Sequence, residues 1–121
     1  MATAPPRTDK QIRGQAGEDA ALAYLQAQGL TLAQRNFRCK VGEIDLIMMH
    51  GAVLVFVEVR RRASAQFGGA AASVGFAKQR RLIRAAQLYL LRYRSPPACR
   101  FDVVAIEGAA LNWIRDAIQS G

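Results

Sequence analysis

The sequence predicts one small α/β domain, and three observations carry that reading. The chain has 121 residues, the length of a single domain. Hydrophobic residues make up 51% and charged residues 21%, enough apolar side chains to build a packed core and too few charges for a chain that stays unfolded. Segments with the apolar period of a helix are interleaved with runs of β-branched and aromatic residues that read as strands.

The elements follow in order. Met1 to Lys10 is polar and contains prolines, without the charged-then-apolar layout of a signal peptide. Residues 1–9 read as a disordered lead-in and residues 10–121 as one domain. A helix runs from about Thr8 to Gln28, with Thr8 or Asp9 as its cap and Gly29 as its stop. Leu30 to Cys39 contains the β-prone pieces Leu30-Thr31-Leu32 and Asn36-Phe37-Arg38, a short edge strand. Glu43 to Met49 and Val53 to Arg61 form a hairpin about a turn at His50-Gly51. Ala63 to Gly75 is rich in Gly, Ala and Ser and reads as a flexible loop. A second helix spans Ser73 to Arg94, with an apolar stripe of Leu82, Ile83, Ala86, Tyr89, Leu90 and Tyr93, and Pro96-Pro97 as its stop. Cys99 to Glu107 is a strand, and Leu111 to Ile118 is a final strand or short helix. The order is α-β-β-β-α-β, with the last element left open.

Charge and cysteine usage narrow the function classes. The net charge is +8, from 17 Lys and Arg against 9 Asp and Glu, and only Lys10, Lys40 and Lys78 are lysines. An arginine bias suits bidentate phosphate contacts, which makes a polyanion the first partner to consider. Arg60, Arg61 and Arg62, with Arg80, Arg81 and Arg84, are the candidates for such contacts. Cys39 and Cys99 lie far apart without the spacing of a zinc site or a disulfide framework, and a reducing, cytoplasmic location is the default. Charged residues interrupt every apolar run before it could span a bilayer.

The acids converge on the hairpin. Side chains alternate faces along a strand, so Glu43, Asp45 and Ile47 share one face, as do Phe56, Glu58 and Arg60. A turn at His50-Gly51 sets Asp45 opposite Phe56 and Glu43 opposite Glu58. Asp45 and Glu58 are then diagonal neighbours, roughly 7–8 Å apart. Two carboxylates at that reach can share a hard divalent cation, or they can form a solvated face paired with Arg60. On the first helix Glu18, Leu22 and Leu25 follow a helical spacing, which places a carboxylate on an apolar stripe beside Gly14, Gly17 and Ala21.

The blocks Gly14-x-x-Gly17-Glu18-x-x-Ala21-x-x-Tyr24-Leu25, Gly29, Asn36, Gly42-Glu43-Ile44-Asp45-Leu46-Ile47, Val55-Phe56-Val57-Glu58-Val59-Arg60, Lys78 and Arg100-Phe101-Asp102-Val103-Val104 resemble, in this order, the bacterial YraN-type family. That family in turn resembles the PD-(D/E)xK nucleases, and archaeal Holliday-junction resolvases in particular. The resemblance implies a restriction-endonuclease-like core, a mixed sheet flanked by helices with the site at one end of the central hairpin. It implies Asp45 and Glu58 as ligands of Mg²⁺ or Mn²⁺, with Glu18 as a third ligand or as the group that orients the attacking water. Arg60 stands where the superfamily carries Lys. Arginine stays charged and cannot act as a base, so its implied part is to stabilise the phosphate in the transition state. Lys78 is the one substitute for the missing lysine if it leans toward the sheet; otherwise it is a solvated helix lysine. Arg61, Arg62, Lys78 and Arg81 are the implied nucleic-acid-binding residues. The expected activity is metal-dependent cleavage of DNA, branched DNA included. The partners are nucleic acid, with no membrane and with a homodimer as a candidate assembly. A catalytically silent nucleic-acid-binding module on the same scaffold is the alternative, and a protein-interaction domain is a third reading.

Overall fold

The computed structural model describes residues 9–62 and 74–119, with the side chains of residues 9–13 and of Arg62 excepted. The elements are α1 (Asp9–Ala27), β1 (Thr31–Cys39), β2 (Gly42–His50), β3 (Val53–Arg62), α2 (Phe76–Leu90), β4 (Cys99–Glu107) and β5 (Ala110–Ile118). The five strands make one sheet in the order β1-β2-β3-β4-β5. Every neighbouring pair is antiparallel except β3 and β4, which run parallel. A parallel pair needs a long crossover, and the stretch that carries α2 supplies it. The last element is therefore a strand. The predicted lead-in and the loop after β3 lie outside the described residues, apart from Asp9, which opens α1, and Val74 and Gly75, which precede α2.

A helix covers each face of the sheet. Leu46, Met48, Val55, Val57, Val104 and Ile106 pack with Ala21, Leu25 and Leu30 on the α1 side. Ile47, Leu54, Phe56, Phe101, Val103 and Ala105 pack with Leu82, Ala85, Ala86 and Tyr89 on the α2 side. Burial on both faces is why β3 reads as an unbroken apolar run from Leu54 to Val57. Phe56 is 1% exposed and stacks on Phe101 with ring centroids 5.3 Å apart. Burying a side chain of this kind stabilises the fold by about 1.5–3 kcal/mol.

The helix ends follow local chemistry. Gly29 takes a left-handed φ of 97°, and the Leu30 and Gly29 amides donate to the carbonyls of Leu25 and Gln26. This pair of bonds closes α1, and Leu25 and Leu30 then bury together in one cluster. The second helix ends at Leu90, short of the predicted Arg94 and well before Pro96. Successive amides at Leu91, Arg92 and Tyr93 bond three residues back instead of four. That tighter winding turns the chain so that Tyr93 packs near Tyr89 and the Ala98 carbonyl reaches the Leu54 amide.

The hairpin turn is Gly51-Ala52, one residue beyond the predicted pair, with Gly51 at φ 61° and His50 paired with Val53. The register moves by two residues: Ile47, not Asp45, faces Phe56, and Leu46 faces Val57.

Candidate active site

The strand alternation that the sequence predicts for β2 breaks at Asp45. Ile44 and Leu46 belong on one face by strict alternation, yet Ile44 packs on the α2 side and Leu46 on the α1 side. The neighbouring strand breaks at the same level. Asn36 stands between Arg35, paired with Leu46, and Phe37, paired with Ile44, and it takes a left-handed φ of 51°. Asparagine is among the few residues that adopt this conformation cheaply. The predicted shared face of Glu43, Asp45 and Ile47 is thus replaced by a local switch of sides, and exposed Glu43 turns to Arg38 at 3.4 Å.

The β2–β3 ladder ends at Leu46 and Val57. Asp45 and Glu58 are the next residues on each strand, so they are side-by-side neighbours where the sequence predicts a diagonal pair. A side-chain bond replaces the next backbone rung: the Val59 N–H donates to Oδ2 of Asp45 at 2.8 Å. Glu58 shares the parity of Phe56, the side that α2 covers. From α2, Nζ of Lys78 reaches Oε1 of Glu58 at 2.6 Å. Lys78 therefore leans toward the sheet, the first of the two positions that the sequence leaves open.

Glu18 comes from α1 and is half-buried. With its amide turned to donate, Asn36 gives N–H bonds to both Glu18 oxygens at 3.2 and 3.0 Å. Arg35 adds an ion pair to Oε1 of Glu18 at 3.5 Å and a shorter one to Asp19 at 2.8 Å. Glu18, Asp45, Glu58, Arg60, Arg61 and Lys78 line one open cleft of about 270 Å³, and Gly14, Gly17 and Val59 also lie on its wall.

The electrostatics of the cleft are those of crowded, desolvated carboxylates. Burial and then the charge of Asp45 raise the Glu58 carboxyl to about 7, against the opposing pull of Lys78. Burial raises Asp45 as well, although the Val59 amide and Lys78 both favour its charged form. Glu18 is raised by burial and by Asp45, with Arg35 acting against the shift. Carboxyl groups perturbed together in a cleft are the usual mark of a site where chemistry or ion binding takes place.

Asp45, Glu58, Glu18 and Arg60 thus meet in one place. Among the described residues, no three His, Cys, Asp or Glu side chains are gathered as a metal-ligand set. Glu18 is held instead by Asn36 and Arg35. Arg61 lines the cleft, and Arg62 closes β3 with its side chain outside the described residues. Arg81 is exposed on α2 and is not part of the cleft wall. Sequence reasoning missed Arg35, and it quoted Asn36 and Val59 within the blocks of the resemblance, without a role. An asparagine within a β-prone run was a further signal, because Asn is depleted from strands and favours left-handed backbone.

The fold and site define an α/β protein whose mixed sheet, covered by one helix on each face, presents a buried glutamate beside a half-buried aspartate, with a lysine counter-ion, at the open end of a hairpin. Residues 17–106 match the model of the uncharacterised protein family UPF0102, and the chain belongs to that family. It is 64% identical over 115 residues to a UPF0102 protein of Janthinobacterium sp. (strain Marseille), covering 95% of this chain and 94% of the relative. It is 62% identical over 117 residues to a UPF0102 protein of Ralstonia pickettii (strain 12J), covering 93% and 94%. A UPF0102 protein of Halorhodospira halophila is 52% identical over 119 residues, covering 98% and 97%.

Proposed function

We propose that this protein is a divalent-metal-dependent nuclease with a restriction-endonuclease-like core that hydrolyses DNA phosphodiester bonds, with branched DNA as the first substrate to assay. The observation that supports this most is the side-by-side pair of half-buried Asp45 and buried Glu58, with Lys78 at 2.6 Å from Glu58, in a cleft that Arg60 and Arg61 also line. The branched-DNA expectation comes from the resemblance to Holliday-junction resolvases.

The donor set fits a hard cation. Two adjacent carboxylates whose pKa values burial raises, Glu58 further by the charge of Asp45, gain most from a divalent charge with oxygen preference. Asp45 and Glu58 would hold Mg²⁺ or Mn²⁺, which would polarise the phosphate and lower the pKa of the attacking water. The chain's own groups do the rest. The Val59 amide fixes the orientation of Asp45. Lys78 stands at the carboxylate that the Glu58-Val59-Arg60 motif would normally serve with a lysine on the same strand. From α2 it can donate to a water or to a phosphate oxygen. Arg60 contributes fixed positive charge toward the phosphate. Glu18, anchored by Asn36, offers a third carboxylate to accept a proton or a water hydrogen bond at the cleft wall.

The test is incubation of the purified protein with end-labelled duplex, flap and four-way-junction DNA in Mg²⁺, Mn²⁺ or EDTA. Metal-dependent products that vanish in Asp45→Asn and Glu58→Gln are the expected result. Absence of any Asp45-dependent cleavage on every substrate overturns the nuclease assignment. The second reading, a silent DNA-binding module, is favoured by Arg60 in the lysine position and by the ion pair that already neutralises Glu58. It predicts DNA binding that falls with salt and survives Asp45→Ala.

A further inference from the structure

We infer that the outer face of α2 is a phosphate-binding track for nucleic acid, formed by Arg80, Arg81 and Arg84 and continuous with the rim of the cleft. The inference shares the nucleic-acid partner of the proposed function but depends on neither the metal site nor catalysis.

Charge segregation is the first support. Between Val59 and Phe101 lie ten of the seventeen cations and none of the nine acids. Within that stretch α2 carries Lys78, Arg80, Arg81 and Arg84 without a single acid. A helix face that serves only solubility mixes both signs, because opposite charges one turn apart stabilise it by a few tenths of a kcal/mol and like charges cost as much. Arg80 and Arg84 are such a like-charged pair, so their placement is unfavourable for the isolated helix.

The state of these side chains is the second support. Arg35, Arg38, Arg100 and Lys78 each meet a carboxylate. Arg80, Arg81 and Arg84 are exposed, and among the described residues none of them is in an ion pair. Arg80 and Arg84 flank a groove that Ile83 and Gln87 complete.

Position is the third support. Lys78, on the same helix, lines the cleft. Arg81, less than one turn on, lies over the start of β2: a Cβ added to Gly42 would come within 3.3 Å of the Arg81 Cβ. Gly42 is three residues ahead of Asp45, so the arginines lead away from the carboxylates along one side of the molecule. A polymer with regularly spaced phosphates is the ligand that can occupy the cleft and this face together. The guanidinium groups would add sequence-independent affinity and fix the direction of the strand.

The experiment is fluorescence anisotropy of a labelled DNA duplex titrated with the full chain in EDTA, over a range of KCl concentrations. Arg80→Ala/Arg84→Ala and Arg81→Ala are compared with Arg115→Ala, which removes one charge on β5, as Arg81→Ala does on α2. Each phosphate contact removed should reduce the slope of log affinity against log salt by roughly 0.9. The double variant and Arg81→Ala should show this reduction with unchanged thermal midpoints, while Arg115→Ala keeps the native slope. Native slopes in the α2 variants, or no duplex binding by the wild type, overturn the inference. Because Phe76 and Leu91 are also exposed on this helix side, at 74% and 79%, vesicles of phosphatidylcholine and phosphatidylserine are titrated in parallel. Binding to vesicles but not to the duplex overturns it as well. A track without cleavage would show altered slopes and no products, whereas cleavage without a track would show products and unaltered slopes.

Discussion

Nζ of Lys78 lies 2.6 Å from Oε1 of Glu58, a side chain that is only 4% exposed, so the acidic cleft carries its own counter-ion. Lys78 itself is 38% exposed and can be rehydrated, whereas Glu58 cannot. Replacing Lys78 with Met therefore leaves a buried carboxylate beside Asp45 with its main compensation removed. We expect a loss of about 1–2 kcal/mol at neutral pH, below the full cost of breaking a buried pair because one partner is solvated. The loss should shrink under acid conditions, where Glu58 is protonated. Urea unfolding of both proteins at two pH values checks this, and an equal loss at both would sink the idea.

The raised carboxyl of Glu58 sets the pH dependence of stability. Its pKa is about 7 in the folded chain against 4.5 ordinarily. Between those values the native state keeps a proton that the unfolded state has released, so stability falls as pH rises through that window and levels above it. Asp45 and Glu18 are shifted in the same direction. Glu58→Gln should flatten most of the slope when unfolding is followed in EDTA. A wild type that gains stability from about pH 5 to about pH 8 would contradict this.

Asn36 holds Glu18 through both carboxylate oxygens. Asn36→Asp would set a further negative charge against Glu18 at the level of Asp45, and we expect a loss of about 2 kcal/mol at neutral pH that acid partly restores. Asn36→Gly keeps the left-handed backbone and loses only the donor, at about 1 kcal/mol. Chemical denaturation that ranks Asp above Gly in stability would refute the assignment.

Asp102 is fully buried and accepts from the Arg100 guanidinium, from Nε1 of Trp113 at 2.9 Å and from the Asp116 amide at 2.9 Å. It ties the irregular end of β5, where Asp116 has a left-handed φ of 51°, to the sheet. Asp102→Asn keeps one acceptor, sets an amide donor against these donors and removes the charge facing Arg100. The expected cost is about 3–5 kcal/mol, with a shift in the emission of the single tryptophan. Emission unchanged in the folded variant would show that Trp113 does not depend on this acceptor.

Much of the fold was legible because its elements obey local rules. Val53 to Arg61 reads as a strand, and Gly29 reads as a helix stop; both readings agree with the structure. The hairpin register was not legible, because His50-Gly51 and Gly51-Ala52 are equally good turns and only the packing of Ile47 against Phe56 decides between them. Parity survived that two-residue change, but it did not survive the switch of sides at Asp45, which depends on the Asn36 backbone one strand away. Lys78 was ambiguous for a similar reason: helical spacing gives the direction of a side chain and not the buried charge that attracts it.

Beyond Val57, β3 continues beside β4 as far as Arg62 but has parted from β2. The Val59 amide points into that fork and is spoken for by a side chain and not by a neighbouring strand. Its resonance therefore reports on Asp45 directly. Protonation of that carboxylate, or its recruitment to a cation, would change the proton shift and solvent exchange of this one amide before any substrate is in hand. Since the described residues that line the cleft include no chromophore, the fork in the hairpin is a ready-made indicator electrode.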